Sequence, residues 1–351
     1  METVIAKIIE GEDSKNRLKI EAAARILREG GLVAFPTETV YGLGADALNP
    51  AAAAKIYQAK GRPSDNPLIV HISCMEDLEK IAARVPAGAR KMAERFWPGP
   101  LTMIFEKRES VPLETTGGLA TVAVRMPGHP VALALIQAAG GYIAAPSANT
   151  SGKPSPTLAE HVAQDMDGRI PMILDGGAVG IGIESTIVDF SEEVPMVLRP
   201  GYITPEMIEE VIGGIKIDPG LAEENSGIRP KAPGMKYRHY APKAELILVN
   251  GAQEKVQQTI NDLAREAALS GKAAGVIGTD ESCNSYRYGI VKSIGARNDE
   301  DTIARHLYGI LREFDQQDVD IIYSESFSTP RIGQAIMNRM LKAAGHQVIE
   351  V

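Results

Sequence analysis

The sequence predicts an α/β protein built from two domains and a linker between them. The chain has 351 residues, which is long enough for two domains. Short apolar runs typical of buried strands alternate with segments whose apolar residues recur at helical spacing. Residues 215–244 interrupt this alternation, because they are rich in glycine and proline and show no periodicity. The predicted domains therefore cover 10–214 and 245–351.

End signals mark the helices of the first predicted domain. Asn49 is a preferred N-cap residue, Pro50 suits the first helical position, and Gly61 suits the position just past the helix end. Residues 36–50 are rich in small residues and are predicted as a loop. The predicted helices cover 17–29, 51–60, 77–84, 87–96, 158–166 and 204–213. The predicted strands cover 32–35, 68–72, 101–106, 121–126, 172–175, 186–190 and 196–200, and 131–146 is predicted as a helix, a turn and a buried strand.

The second predicted domain is a small Rossmann-like α/β unit. Strand and helix patterns alternate regularly along it, which is typical of a mostly parallel sheet. Arg331 lies near the predicted start of its last helix, and this region shows no candidate site. The predicted strands cover 245–250, 273–278, 319–325 and 347–351, and the predicted helices cover 253–269, 300–314 and 333–344.

Composition and charge exclude several classes of protein. The formal net charge is −8, which argues against a general nucleic-acid binder and means that an anion site needs local clusters of cations. Cys74 and Cys283 are the two cysteines, so a cysteine zinc site and a disulfide scaffold are excluded, and we expect a reducing, cytoplasmic location. The longest apolar run, 131–146, is too short and too broken to span a membrane.

Common nucleotide and metal motifs are absent from the sequence. There is no G-x-x-x-x-G-K-[ST] loop, no complete G-x-G-x-x-G after a strand and no H-E-x-x-H. We therefore expect no catalytic metal bound by protein ligands alone.

Lys60 and Arg62 lie in the stretch KGRPSDNPL at the end of a predicted helix. Cations are favoured there simply because they complement the helix dipole. The alternative is functional, because Pro63 and Pro67 stiffen a turn that offers a point charge, a guanidinium fork and the neutral amide of Asn66. Such a turn suits a phosphate or a carboxylate.

Several polar loops follow buried strands. SANTSGKPSPT at 147–157 combines hydroxyls, an amide and a lysine, and polar segments also occur at 36–44, 183–186 and 199–201. Ligands of open α/β sheets bind outside the carboxyl ends of the strands. These loops are either solvated turns or parts of one shared pocket.

Arg125 interrupts an apolar strand. A buried cation needs an anionic partner, which here is either an acid of the chain or the carboxylate of a substrate. His71 lies in another apolar strand and is either a satisfied core residue or a ligand-binding group.

The linker carries an unusual local charge. From Asn225 to Ala244 there is no acidic residue, whereas five cations are interleaved with Tyr237, His239 and Tyr240. The segment is either a basic connector or a flap that closes over an anionic ligand with a ring.

Taken together, these segments resemble the threonylcarbamoyl-AMP synthase family over nearly the whole chain. The resemblance rests on many segments in one order: FPTETVYGLG, KGRPSDNPLIVHI, WPGPLT, VAVRMPGHP, APSANTSGKPSPT, GIESTIVD, LRPG and APGMKYRHYAP. It implies a YrdC-like domain with a twisted, open, mixed sheet and helices. The family's K-x-R and S-x-N residues are present as the catalytic set Lys60, Arg62, Ser147 and Asn149.

The resemblance implies that L-threonine, bicarbonate and ATP give threonylcarbamoyl-AMP and pyrophosphate, with Mg²⁺ arriving with ATP. The product would pass to a separate tRNA threonylcarbamoyl transferase, so strong direct binding of nucleic acid is not expected. By the same resemblance, threonine is bound by Thr39, His71, Arg125, Ala145 and Ser185. ATP is bound by Lys60, Arg62, Asn66, Thr121, Ser147, Ser155, Arg199, Tyr237 and Tyr240.

Two other functions are compatible with parts of the sequence. The first is a carbamoyl-adenylate former for hydrogenase maturation, but such proteins are larger and carry Cys-rich zinc modules. The second is a non-catalytic RNA-binding module that uses the basic linker, which would show a steep dependence on salt.

Overall fold

The computed structural model describes residues 2–219, 239–327 and 330–351. The described residues divide into two compact units. The first unit takes in 2–151, 155–180 and 184–219. The second takes in 152–154, 181–183 and the described residues from 239 onwards.

The first unit is an α/β structure with seven helices among its described residues. The helices are α1 (Asp13–Arg28), α2 (Pro50–Lys60), α3 (Met75–Ile81), α4 (Ala87–Phe96), α5 (Pro130–Ala138), α6 (Ala159–Met166) and α7 (Pro205–Ile212). The strands are β1 (Val4–Lys7), β2 (Val33–Phe35), β3 (Gly42–Asp46), β4 (Ile69–His71), β5 (Leu101–Glu106), β6 (Thr121–Arg125), β7 (Ile143–Ala144), β8 (Met172–Asp175), β9 (Thr186–Asp189), β10 (Met196–Arg199) and β11 (Lys216–Ile217).

These strands form one mixed sheet in the order β1-β8-β2-β3-β7-β4-β6-β5-β9-β10-β11. Parallel pairs such as β4 with β6 alternate with antiparallel pairs such as β5 with β6. The prediction of a mixed α/β sheet is therefore confirmed.

Both faces of the sheet are buried. Successive residues of β2 point to opposite faces, so Ala34 belongs to one apolar cluster while Val33 and Phe35 belong to another. A strand that is apolar at every position fits this arrangement, because neither of its faces meets water.

Helix α2 begins and ends where the sequence predicts. The Asn49 side chain accepts hydrogen bonds from the backbone N–H groups of Ala51 and Ala52, and Pro50 occupies the first turn. Gly61 ends the helix with a left-handed backbone, φ 63°. These signals make Lys60 the last residue of the helix.

Strand β3 lies inside 36–50, so the prediction of a loop throughout this stretch was wrong. The strand contains Gly42 and Gly44 and therefore shows no alternation of apolar and polar side chains. A Cβ atom at Gly44 would lie 2.8 Å from Ile143 Cγ2 and 3.0 Å from Phe35 Cε1. Glycine is needed there because the neighbouring strands carry bulky side chains, and this need is invisible in the local pattern.

The other strands that the sequence analysis missed lie at sheet edges. β1 and β11 are the two edges of the first sheet, and β11 falls inside the predicted linker. Edge strands are short and half exposed, so they lack the apolar runs that reveal buried strands. The first helix also starts earlier than predicted, at Asp13.

The second unit contains a parallel sheet, as predicted, and it has five strands where the sequence predicted four. Its helices are α8 (Gln253–Leu269), α9 (Glu300–Asp315) and α10 (Gly333–Ala343). Its strands are β12 (Glu245–Asn250), β13 (Ala274–Gly278), β14 (Ile290–Ser293), β15 (Ile321–Glu325) and β16 (Val348–Glu350), in the order β14-β13-β15-β12-β16. Every pair of neighbouring strands is parallel, and β14, which was not predicted, is an edge.

A buried polar cluster lies at the end of β15. Glu325 accepts hydrogen bonds from the hydroxyls of Ser282 and Tyr286 and pairs with the guanidinium of Arg297. The carboxylate is thus compensated by donors of its own unit, which favours a structural role. Arg331, just before α10, pairs with Asp301 at 3.2 Å.

In the part of the chain that the structure describes, no helix is long and apolar enough to cross a membrane.

Candidate active site

The strand register brings the predicted threonine-binding residues to the edge of the first sheet that is formed by the ends of its central strands β4, β6, β5 and β9. His71 is paired with Arg125 across the parallel strands β4 and β6, and Thr102 is paired with Arg125 across β5 and β6. Ser185 directly precedes β9, which runs parallel to β5 with Thr186 opposite Leu101. Side chains from four strands therefore converge although they are far apart in sequence.

Arg125 is the central cation of this edge, and its side chain is buried. Its Nη1 donates to the Thr39 hydroxyl at 2.9 Å, and its Nε donates to the Gly99 carbonyl at 3.3 Å. Its Nη2 lies 2.6 Å from a carboxylate oxygen of Glu38. The sequence required an anionic partner for Arg125, and the structure supplies an internal acid.

The hydroxyl of Thr39 is oriented by Thr37. The Thr37 hydroxyl donates to the Val40 carbonyl at 2.6 Å and lies 2.9 Å from the Thr39 hydroxyl. Since the single proton of Thr37 is used at Val40, Thr39 must donate to Thr37. The lone pairs of Thr39 then face Arg125, which fixes the direction of the guanidinium.

Glu38 is ionised beside Arg125. Burial acts to raise the pKa of its carboxyl, but the charge of Arg125 and the nearby N–H groups of Arg125, Glu38 and Gly128 outweigh it and hold the pKa below its usual value. The site therefore contains one fixed positive and one fixed negative charge at neutral pH.

His71 is neutral. Burial above all, followed by the charge of Arg125, lowers its pKa to about 3. Nδ1 lies 3.1 Å from the Ile69 carbonyl, so Nδ1 carries the proton and Nε2 is left as a hydrogen-bond acceptor. The backbone N–H of Ala145 donates to the same carbonyl at 2.8 Å, which places Ala145 beside His71.

Ser185 is held from two sides. Its hydroxyl lies 2.7 Å from that of Thr102, and Arg199 donates to its carbonyl from Nε at 3.1 Å and from Nη2 at 3.0 Å. Arg199 also reaches the Ser185 hydroxyl at 3.2 Å. The structure thus places Arg199, which was predicted to bind ATP, against a residue predicted to bind threonine.

The predicted catalytic residues Lys60, Ser147 and Asn149 form a second group. The ammonium of Lys60 is buried and donates to the carbonyls of Ser147, at 2.5 Å, and Asn149. The Ser147 hydroxyl donates to Asn149 Oδ1 at 2.5 Å. An antiparallel bridge between Ser147 and Gly42 fastens this loop to β3, two residues after Ala145. The loop therefore connects the threonine group to the Lys60 group.

Arg62 curls back over its own turn. It donates to the carbonyls of Asn66, at 3.3 Å, and Pro67, at 3.1 Å. The turn packs against Gly117, where a Cβ atom would lie 3.0 Å from the Asp65 carbonyl oxygen. Thr121 follows Gly117 in the chain and is the first residue of β6, whereas Arg125 is the last residue of β6. The Cα atoms of Thr121 and Arg125 therefore lie about 13 Å apart. Thr121 therefore lies at the opposite end of β6 from Arg125.

Ser155 and Glu184 form a buried hydroxyl–carboxylate pair. The Ser155 hydroxyl donates to Glu184 Oε1 at 2.6 Å. Hydroxyl and carboxylate oxygens are the protein ligands that Mg²⁺ accepts when phosphates supply the rest of its shell. Among the described residues, no group of three His, Cys, Asp or Glu side chains is placed to hold a metal ion. The residues fit a Mg²⁺ ion that arrives on ATP.

The predicted flap residues are only partly described. Tyr240 belongs to the second unit, is buried, and packs against the ring of Tyr308 at 5.2 Å between centroids. Its backbone is left-handed, φ 65°. Tyr237 lies outside the described residues. The role of both tyrosines at ATP stays a prediction.

Sequence reasoning missed Glu38, Thr102 and Glu184 as members of the site. Glu38 had a signal, because it is the acid in a small-residue loop after a buried strand while Arg125 needed an anion. Thr102 and Glu184 had none, because a threonine in a strand and an acid in a loop are ordinary. Strand order alone brings Thr102 beside Ser185.

The fold and the site define an α/β protein in which charged and polar side chains meet at the ends of the central strands, beside a loop of hydroxyl and amide groups that the Lys60 ammonium holds in place. A family model named Sua5/YciO/YrdC and described as "Telomere recombination" matches residues 25–201. A second model, described as "Threonylcarbamoyl-AMP synthase, C-terminal domain", matches 203–345. The chain belongs to this Sua5/YciO/YrdC family and carries the C-terminal domain of its threonylcarbamoyl-AMP synthases.

Curated relatives and solved structures agree with this assignment. The chain is 52% identical to threonylcarbamoyl-AMP synthase of Bacillus subtilis over 96% of each chain. It is 51% identical to that of Pyrococcus abyssi over 95% of this chain and 96% of the relative. The crystal structure of P. abyssi Sua5 complexed with L-threonine matches with a TM-score of 0.93 and 49% identity, over 99% of this chain and all of that one.

Proposed function

We propose that this chain is an L-threonylcarbamoyladenylate synthase, an ATP-dependent nucleotidyltransferase that acts in tRNA modification. It joins L-threonine, bicarbonate and ATP to give threonylcarbamoyl-AMP, pyrophosphate and water. The observation that carries the proposal is the convergence of Arg125, Thr39, His71 and Ser185 at one sheet edge, in a chain half identical to relatives of that name.

Threonine binds at the Arg125 end of the site. The guanidinium takes the substrate carboxylate, and Thr39, Ala145 and Ser185 line the same edge. His71 accepts a hydrogen bond as a neutral ring, because its pKa of about 3 makes it a poor base at neutral pH. An α-amino group has a pKa near 8, so a useful fraction of the substrate amine is neutral without a dedicated base. Positioning therefore supplies much of the first step, the attack of the amine on CO₂ or bicarbonate.

The second step takes place at the Lys60 end. A carbamate oxygen attacks the α-phosphorus of ATP, the bond from that phosphorus to the bridging oxygen breaks, and pyrophosphate leaves. Two anions must approach each other, so fixed cations and donors are needed. Lys60 and Arg62 supply charge, and Ser147, Asn149 and Asn66 supply neutral polar groups.

Several parts of the proposal rest on the chemistry of the substrates. A Mg²⁺ ion that arrives with ATP would be held by the phosphates, the Ser155 hydroxyl and the Glu184 carboxylate, and it would supply positive charge against the phosphates. Bicarbonate is the carbon source. The product is a labile mixed anhydride, so a separate transferase must consume it, and we place this reaction in the cytoplasm with the tRNA.

The proposal is tested by measuring pyrophosphate release from the purified full-length chain. We expect release only when threonine, bicarbonate and ATP are all present, and loss of release when any one is omitted. Release without threonine would contradict the proposal. A gel-shift titration with tRNA serves as the second measurement, because tight binding with a steep salt dependence would instead favour an RNA-binding module.

A further inference from the structure

The Glu38–Arg125 pair is charged but incompletely satisfied. The two groups lie 2.6 Å apart. Within the described chain, neither oxygen of Glu38 nor the Nη2 group of Arg125 makes an aligned hydrogen bond, although all three atoms are buried. Buried polar atoms of a folded protein nearly always find a partner, and the exceptions call for an explanation.

The surroundings of Glu38 explain why it and Arg125 do not form an aligned hydrogen bond. Arg125 is already directed by Thr39 at Nη1 and by Gly99 at Nε, so it cannot rotate toward the carboxylate without losing both bonds. Gly128 is a further neighbour of Glu38, because a Cβ atom on Gly128 would lie 3.7 Å from the carboxylate carbon. The missing side chain at Gly128 leaves space beside the acid.

A free amino acid matches this arrangement of charge. L-threonine carries a carboxylate and an ammonium on the same carbon, and its net charge is zero. The carboxylate of threonine would accept hydrogen bonds from Arg125, and its ammonium group would donate hydrogen bonds to Glu38. The neutral total charge of the pair is preserved when the zwitterion binds, so no uncompensated charge is buried.

We propose that Glu38 is a threonine-binding residue that receives the α-amino group of the substrate, while Arg125 receives its carboxylate. The inference rests on the proposed function and adds a specificity-determining residue to it. Glu38 selects amino acids over simple hydroxy acids, and it holds the nitrogen that is to be carbamoylated.

The test compares ligands that differ by one charged group. Calorimetry is carried out with L-threonine and with (R)-3-hydroxybutyrate, which is threonine without the amino group, on the unaltered chain and on Glu38→Gln. Glutamine keeps the shape of the side chain and removes its charge. We expect Glu38→Gln to weaken threonine binding by about 10- to 100-fold, the worth of a charge-assisted hydrogen bond. Binding of the hydroxy acid should not weaken, because Glu38→Gln removes a negative charge that repels its carboxylate.

Two results would overturn the inference. If Glu38→Gln binds threonine as well as or better than the unaltered chain, Glu38 either does not contribute to threonine binding or competes with the threonine carboxylate for Arg125. If both ligands lose affinity equally, Glu38 acts by placing Arg125. Should the hydroxy acid bind neither protein measurably, L-threoninol decides, because it keeps the ammonium and its binding must weaken in Glu38→Gln.

Controls separate this inference from the proposed function. Glu21→Gln is the matched control, because Glu21 also pairs with an arginine, Arg28, at 2.7 Å, but in an exposed position. It should leave threonine binding unchanged. ATP binding by Glu38→Gln should also be preserved, which shows that the variant is folded, and Glu38→Asp should recover part of the affinity. Absence of threonine binding to the unaltered chain would remove the proposed function and this inference with it.

Discussion

Arg125 is a single residue that indicates a functional site from the sequence alone, before the fold is known. A guanidinium in an apolar strand must meet an anion, and both alternatives that the sequence left open have a place in the site. Glu38 is the internal acid, and the substrate carboxylate is the second anion in the proposed function. The sequence offered Glu38 as an acid in a small-residue loop, but it did not show that this acid pairs with Arg125, because only the sheet brings the two residues together.

Arg125→Ala is expected to weaken threonine binding by about 10- to 100-fold and to leave ATP binding intact. The physical reason is the loss of a charge-assisted hydrogen-bonded pair, worth roughly 1.5–3 kcal/mol. Calorimetry with each ligand separately measures both effects. Arg28→Ala, which removes an exposed arginine of similar pairing, is the control.

Arg125→Lys adds a second check at the same position. Lysine keeps the charge but lacks the planar fork, so threonine affinity should fall between that of Arg125→Ala and that of the unaltered chain. If ATP binding is lost in Arg125→Ala while threonine binding persists, the two ends of the site have been assigned the wrong way round.

At the scale of elements, helix α2 was predicted well because its signals are local. Asn49, Pro50 and Gly61 act within one turn of the helix ends, so the sequence alone places Lys60 at the last helical residue. The role of Lys60 at this position could not be predicted from the sequence. Lys60 looked like a helix-end charge or a phosphate contact, and the structure shows that its ammonium also fastens the loop of Ser147 and Asn149.

Lys60→Met should therefore damage the loop as well as remove a charge. Methionine fills similar space but leaves the carbonyls of Ser147 and Asn149 without their donor, and each unsatisfied buried group costs about 1–3 kcal/mol. We expect a loss of unfolding free energy of about 2–6 kcal/mol in denaturant titrations, together with loss of pyrophosphate release. Lys15→Met, at an exposed ion pair with Glu12, is the matched control.

A different outcome would assign Lys60 to the ligand alone. If Lys60→Met loses activity but keeps the stability of the unaltered chain, the lysine does not support the loop. The hydrogen bonds to the two carbonyls would then contribute nothing measurable to folding.

At the scale of the whole molecule, the site depends on strand order, which no local pattern carries. The sequence analysis identified His71, Arg125, Ser147 and Ser185 as separate polar groups after or within strands. Their convergence follows from the insertion of β4 between β7 and β6 and of β5 between β6 and β9. Nothing in a run of six residues specifies such neighbours, and only the family resemblance grouped these residues beforehand.

His71 links the site to the stability of the whole fold. Unfolded histidine binds a proton near pH 6.5, whereas folded His71 stays neutral down to a pH of about 3. The unfolded chain therefore binds more protons in this window, and the free energy of unfolding falls as the pH drops from 6.5 toward 3. This one residue should remove about 2–3 kcal/mol between pH 7 and pH 4.5.

His71→Asn tests this link, because asparagine retains a donor for the Ile69 carbonyl but does not titrate. The variant should lose about 2–3 kcal/mol less unfolding free energy than the unaltered chain between pH 7 and pH 4.5, as measured by denaturant titration at each pH. His346→Asn is the control, since His346 is exposed and its left-handed backbone, φ 60°, tolerates asparagine. Equal acid-induced losses in His71→Asn and the unaltered chain would mean that His71 is charged when folded, and its assignment as a neutral acceptor for threonine would fall.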